Sequence, residues 1–173
     1  MNKLDIIISV IILIPALLGL KNGLLKSIFS LAGIITGLYL ATRYNDKLVS
    51  LLKFIKTDEK ILSFISFVFI ILTAYFIFTY ISGKISGLNF ITRTIDKISG
   101  TLLGIFKGLI IASIFLVVSA GTFKIFSEKE ISVSVLYSVT VNIAPDVYNY
   151  VIKFFPEAKS FYEELSKMIL RTN

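Results

Sequence analysis

Asp96-Lys97-Ile98-Ser99-Gly100-Thr101-Leu102-Leu103-Gly104-Ile105-Phe106-Lys107-Gly108-Leu109-Ile110-Ile111-Ala112 is the stretch that decides the fold class. On a helix, positions 96, 100, 104, 108 and 112 are successive four-residue steps along one face. An acid, three glycines and an alanine therefore form a ridge almost without side chains inside an apolar segment. In water, glycine at this density weakens a helix by about 0.5–1 kcal/mol per residue. In a bilayer, small residues at this spacing are how helices come close to one another. The ridge predicts a membrane helix pressed against a second helix.

Composition agrees. The chain has 173 residues, 55% of them hydrophobic, and a mean hydropathy of +0.86, more apolar surface than a soluble domain can bury. The predicted class is all-α integral membrane. Cysteine is absent, which excludes disulfides and thiolate metal sites. Histidine is absent too, which removes the commonest general base and metal ligand. The net charge of +7 sits at the edges of apolar runs, where lysines anchor spans at a lipid surface, so the expected partner is the bilayer and not nucleic acid.

Outward from the ridge, the apolar runs predict a four-transmembrane-helix bundle over residues 1–123, with spans at about 4–20, 24–42, 61–83 and 98–121. The first run follows Asp5 and contains Pro15, which a membrane helix tolerates when a neighbour satisfies the freed carbonyl. It should stay uncleaved, because an acid lies in its basic start and no small-x-small site follows. Gly19-Leu20-Lys21-Asn22-Gly23-Leu24-Leu25-Lys26 interrupts the apolar character only briefly, as a tight antiparallel helical hairpin would. The second run carries another small-residue ridge, Gly33, Gly37 and Ala41. Between residues 43 and 60, apolar Leu48, Leu51, Leu52 and Ile55 among lysines predict a short amphipathic helix lying in the interface.

Residues 124–173 differ in kind and form a short amphipathic helical tail, interfacial or outside the membrane. Pro145-Asp146 and Pro156-Glu157 mark helix starts, predicting helices at about 146–155 and 157–170. Residues 131–143 fit both a strand and a helix; with no partner strand elsewhere, helix is the expectation.

Lys107 is the unusual charge. Eleven residues beyond Asp96, it stands roughly 16 Å along the helix, near the middle of a ~30 Å hydrocarbon layer. An unpaired lysine there costs about 2.5–3.5 kcal/mol. Asp96 is three turns away, leaving Asp5, carbonyls freed at Pro15 or a neighbouring subunit as partners. Alternatively, residues 96–106 lie in the interface and the crossing begins at Lys107. No Walker, HExxH or GxSxG element occurs. No enzymatic activity, metal or cofactor is expected.

These residues resemble the colicin V production protein family, bacterial inner-membrane proteins with four predicted spans. One family signature is similar to an N-terminal Asp and apolar run followed by Gly-x-(basic)-x-Gly-(apolar)-x-(basic)-Glu, and maps onto Asp5, Gly19, Lys21, Gly23 and Lys26, with Ser27 in place of the acid. The other resembles Asp-(basic)-x-x-Gly-x-x-x-Gly-x-x-(basic)-Gly, and is present as Asp96, Lys97, Gly100, Gly104, Lys107 and Gly108. The resemblance implies a multi-pass protein of the bacterial inner membrane acting in bacteriocin production or export and envelope physiology. Assembly through the glycine ridges, with itself or with other inner-membrane or envelope proteins, is the expected mode of action. A channel or transporter subunit with a polar path lined by Lys107 and Asp96 is the alternative. Related modules precede envelope serine proteases, which implies both termini outside and the signature loops in the cytoplasm. The count of lysines and arginines near the spans favours the reverse orientation.

Overall fold

The structure, a computed structural model, describes residues 2–52, 54–55, 57–85, 93–122 and 125–153. Their regular structure is helical throughout: α1 (Lys3–Leu51), α2 (Glu59–Ile85), α3 (Arg93–Leu116) and a π-helical turn (Val117–Thr122), then α4 (Glu128–Val133), α5 (Val135–Thr140) and α6 (Ile143–Ile152). Among the described residues, three helices are long and apolar enough to cross a membrane: Lys3–Leu51, Glu59–Lys84 and Ile95–Ser119.

The sequence predicts two spans where α1 stands as one element with one break. Helical geometry continues through Lys21 and Asn22 and fails at Gly23, with φ 76° and ψ −177°. Only glycine takes that φ without a Cβ penalty, so the change of direction is concentrated at one residue. The two limbs of α1, residues 3–22 and 24–51, run opposite ways along α3. Leu4 and Ile8 cluster with Ala112 and Leu116, whereas Gly19 and Gly23 meet Gly100 and Asp96. Beyond the break, Ser27 bonds to Gly100, Ser30 bonds to Lys107, and Ile34, Leu38 and Ala41 cluster with Ile110 and Val117. The 24–51 limb also packs antiparallel to α2, with Gly37 against Ile71 and Gly33 against Tyr75 and Phe78.

A separate amphipathic helix is expected after residue 42, but α1 continues instead to Leu51. Asn45 and Val49 are buried, and Asn45 Nδ2 donates to Ser63 Oγ at 2.7 Å. The face carrying Asn45 and Val49 packs against protein and continues the limb, while Leu51 of the apolar stripe stays 73% exposed. The helix ends where the Leu52 N–H turns back to the Leu48 and Val49 carbonyls. Asp58 Oδ1 then accepts from Lys60 N and starts α2.

Large apolar side chains cover the outside as well as the core, and several polar groups are buried. Buried positions include Ser27, Ser30, Ser66, Ser82, Lys107 and Ser113, while Leu13, Leu17, Phe69, Phe76 and Leu102 are more than half exposed. In water this would be an aggregation surface; against lipid it is the expected outer face.

The described part of the tail folds back onto the bundle. Ser113 Oγ donates to Val141 O and accepts from Ala144 N, and Thr42 Oγ1 bonds to Tyr148 OH at 2.8 Å. Residues 131–143 form short helices divided at Ser134, whose hydroxyl caps α5 by accepting from Tyr137 N. α6 begins at Ile143, earlier than proline placement alone predicts, with Pro145 in its first turn, where a missing N–H costs nothing. The helix expected at 157–170 lies outside the described residues.

Candidate functional site: a glycine seam and a buried lysine

The ridge of α3 faces the 3–22 limb, backbone to backbone. A Cβ on Gly100 would stand 2.5 Å from the Gly19 carbonyl oxygen, one on Gly108 would stand 2.8 Å from Ile12 Cα, and one on Gly104 would strike the Pro15 carbonyl and lie 2.9 Å from Ala16 Cα. Gly19 has the reciprocal constraint, its Cβ falling on the Gly100 carbonyl. The seam thus uses both signatures at once, and it lies within one chain.

At the end of the seam, Asp96 does not serve its own helix. Its Oδ1 accepts from Leu24 N at 2.7 Å, capping the first turn of the 24–51 limb just after the break. Helix N-termini carry unsatisfied N–H groups and a partial positive charge. A carboxylate from a neighbouring helix meets both. A side chain at position 23 would collide with that carboxylate, so Gly23 supplies the turn and also the room for the cap.

Lys107 lies inside the bundle, 3% exposed. Its Nζ donates to Ser30 Oγ at 3.0 Å and stands 5.7 Å from the centre of the Tyr75 ring, within cation–π range. Ser30 Oγ in turn donates to Ser27 O, and Ser27 Oγ donates to Gly100 O at 3.3 Å. A polar file consequently links Gly100 to Lys107 between α3 and the 24–51 limb. Within the chain, neither Asp5 nor the Pro15 carbonyl is the partner. Asp5 is occupied at the other end of the bundle, where its Oδ1 accepts from Ser134 Oγ at 2.5 Å and Leu136 N at 3.1 Å. The Pro15 carbonyl lies against Gly104. Among the described residues, Lys107 has no carboxylate in ion-pair range.

Of the other signature residues, Lys21 and Lys97 are exposed and Lys26 is half-buried. They lie at the Asp96 end, where Lys26 is within electrostatic reach of Lys107. Among the described residues no three acidic groups converge to hold a metal ion. Ser30 and Tyr75 are functional neighbours that sequence reasoning passes over. Ser30 has a signal, being one turn before Gly33 on a small-residue face, but Tyr75 has none, because its meeting with Lys107 depends on tertiary register.

A cavity of about 690 Å³ lies on the far side of Lys107, between the 3–22 limb, α2 and α3. Pro15, Ile34, Ile71, Tyr75 and Ile111 are among its walls.

No curated protein and no solved structure matches the chain. A family model, that of the colicin V production protein, matches residues 4–145, covering both limbs of α1, α2, α3 and the start of α6. The chain belongs to the colicin V production protein family.

Proposed function

We propose that the chain is a non-enzymatic, four-crossing protein of the bacterial inner membrane that serves colicin V production or export, and envelope physiology, through helix-mediated assembly. Family membership supports the role in colicin V production. The observation that carries the reading is the outer surface of large apolar side chains, Leu13, Leu17, Phe69, Phe76 and Leu102 among them, over a core that also holds serines and Lys107. Four crossings are supported by the reversal at Gly23, since a limb of about 20 residues spans about 30 Å, the depth of the hydrocarbon layer. The glycine ridges at 100–108 and 33–37 are occupied within the chain. Assembly therefore uses outward apolar faces such as those of Phe69, Phe76 and Leu102.

The test of role is colicin V activity released by a producing strain whose own family member has been deleted and replaced by this chain. Restored release is expected; membrane-inserted protein without release would overturn the role. The lack of cysteine makes sidedness simple to read. In sealed cells, Lys21→Cys and Lys97→Cys should share one labelling side, cytoplasmic in the orientation that the family resemblance implies and that we adopt, and Lys47→Cys and Lys129→Cys the other. Labelling of residues 21 and 47 from one side would end the four-crossing reading.

The polar file from Gly100 through Ser27 and Ser30 to Lys107, with Asp96 at the same end of the seam, favours a second reading, a channel or transporter subunit. Ion or solute flux in liposomes holding only this protein, abolished by Lys107→Ala, would establish it. Absence of flux, with a partner captured by crosslinking in native membranes, would establish the assembly factor.

A further inference from the structure

The cavity beside Lys107 is apolar with one cation in its wall. Its volume, about 690 Å³, falls in the range of about 300–1,000 Å³ typical of small-molecule sites. Ser119, also in the wall, already donates to the Phe115 carbonyl. An ammonium has three donors. One is taken by Ser30 Oγ at 3.0 Å, and the other two have no acceptor among the described residues. Burying an ammonium without a counter-charge is costly, and here the protein supplies only a hydroxyl and the face of Tyr75. An anion entering the cavity would complete the set.

We propose that this cavity binds a single-chain amphiphile with a monovalent carboxylate head, the head on Lys107 Nζ and the chain along the apolar walls. The charge count selects the head. One ammonium balances one carboxylate, whereas a phosphate monoester with close to two negative charges would leave an excess in an apolar site. Depth selects against a bilayer phospholipid, whose headgroup would have to leave the interface and descend roughly 16 Å to reach this lysine. The walls select the tail, because a small aqueous anion would leave them unfilled. Entry is from the acyl layer: Ile14, Leu18, Leu72 and Phe115 at the cavity's edge are 36 to 55% exposed on the outer apolar surface. The site rests on the reading that the bundle sits in a membrane with Asp96 near its surface and Lys107 at depth, and is independent of the role in colicin V production.

The test uses the purified full chain in detergent with a diazirine-bearing palmitic acid, the labelled peptides being mapped by mass spectrometry. Label is expected on the cavity walls. Palmitate should displace it, while hexadecanol and phosphatidylglycerol should each compete at least about tenfold more weakly, the loss of one charge-assisted bond. Lys107→Met should weaken labelling at least about tenfold. Should that variant lose its native gel-filtration profile, Ile111→Trp decides in its place: it keeps the lysine, fills the cavity and should abolish labelling. Hexadecanol competing as well as palmitate would show that the lysine does not select the head. Phosphatidylglycerol competing equally would make the occupant a bilayer lipid, and labelling unaffected by Ile111→Trp would put the probe elsewhere. Each of these results would overturn the proposal.

Discussion

On one side of the 3–22 limb, Gly19 and Ala16 lie so close to α3 that a Cβ added to Gly100 or Gly104 meets backbone; on the other, Ile14 and Leu18 border a cavity of about 690 Å³. The same stretch of helix is therefore packed to contact on one face and held apart on the other. In lipid, apolar burial between helices gains little over contact with acyl chains, and association rests on van der Waals fit and hydrogen bonds. Dispersion falls off within an ångström of optimal separation. A face of glycine and alanine lets backbones meet. A face of leucine and isoleucine holds them apart, and leaves space only where the opposing helix does not supply matching side chains.

The largest expected effect comes from closing that contrast at the seam. Gly104→Ile puts a branched side chain onto the Pro15 carbonyl and Ala16 Cα, and should destabilise by about 1–3 kcal/mol or more. Steady-state protein in the membrane fraction should fall several-fold, and Gly104→Ala should already show part of the loss. Wild-type abundance and thermal stability in Gly104→Ile would remove the seam from the account.

Next is the cap at the end of the seam. Asp96→Ala removes the acceptor from Leu24 N and should cost about 0.5–2 kcal/mol, read as a lowered midpoint of thermal unfolding in detergent. Asp96→Asn keeps an acceptor oxygen and should lie between the two. Equal midpoints for Asp96→Ala and wild type would show that the second limb does not need this carboxylate.

Gly83 is the counterpart of the seam glycines. A Cβ there meets nothing within 4 Å, so Gly83→Ala should leave abundance unchanged and raise stability by at most about 0.5–1 kcal/mol. A loss comparable to that of Gly104→Ala would mean that glycine content, and not contact, decides stability in this chain.

The smallest effect concerns the tail. Ser127 caps α4 while its N–H and Oγ donate to Glu130 Oε2 at 3.0 and 2.9 Å. The bonds from the Ser127 backbone and side chain hold the Glu130 carboxyl below the ordinary glutamate range. The sign follows from that depression: the contribution is complete above the unfolded glutamate value and is lost as pH falls through the lower folded value. Amide shifts of Ser127 and Glu130 by NMR should stay constant through the mildly acidic range and move only below it. In Glu130→Gln they should not titrate.

Part of this architecture is legible in one sequence because it is written in local spacing. Gly100, Gly104 and Gly108 fall four apart, and that spacing announces a close helix contact before any neighbour is known. Gly23 after Lys21-Asn22 marks a reversal for the same local reason. The stripe at Leu48, Leu51 and Leu52 misleads because amphipathic periodicity reports that a face is covered, not whether lipid or protein covers it. Protein covers the neighbouring Asn45 and Val49, and Leu51 stays 73% exposed. The partner of Lys107 is out of reach of the sequence for a related reason. Electrostatics points to a carboxylate, and the structure meets part of the need with Ser30 and the Tyr75 face, groups whose approach depends on the register of three helices. Docking of the tail through Asp5 and Ser113 likewise joins residues far apart in sequence.

The central claim is that the seam joins two segments of one chain, and crosslinking tests it most directly. Ile8 and Ala112 are buried in one cluster, and the cysteine-free background makes Ile8→Cys with Ala112→Cys a unique pair. Chains grown in light and heavy isotope are mixed in detergent, reconstituted and treated with a short bis-thiol reagent. The account predicts crosslinked 8–112 peptides that are wholly light or wholly heavy. Peptides joining light to heavy chains, or none joining 8 to 112, would contradict it.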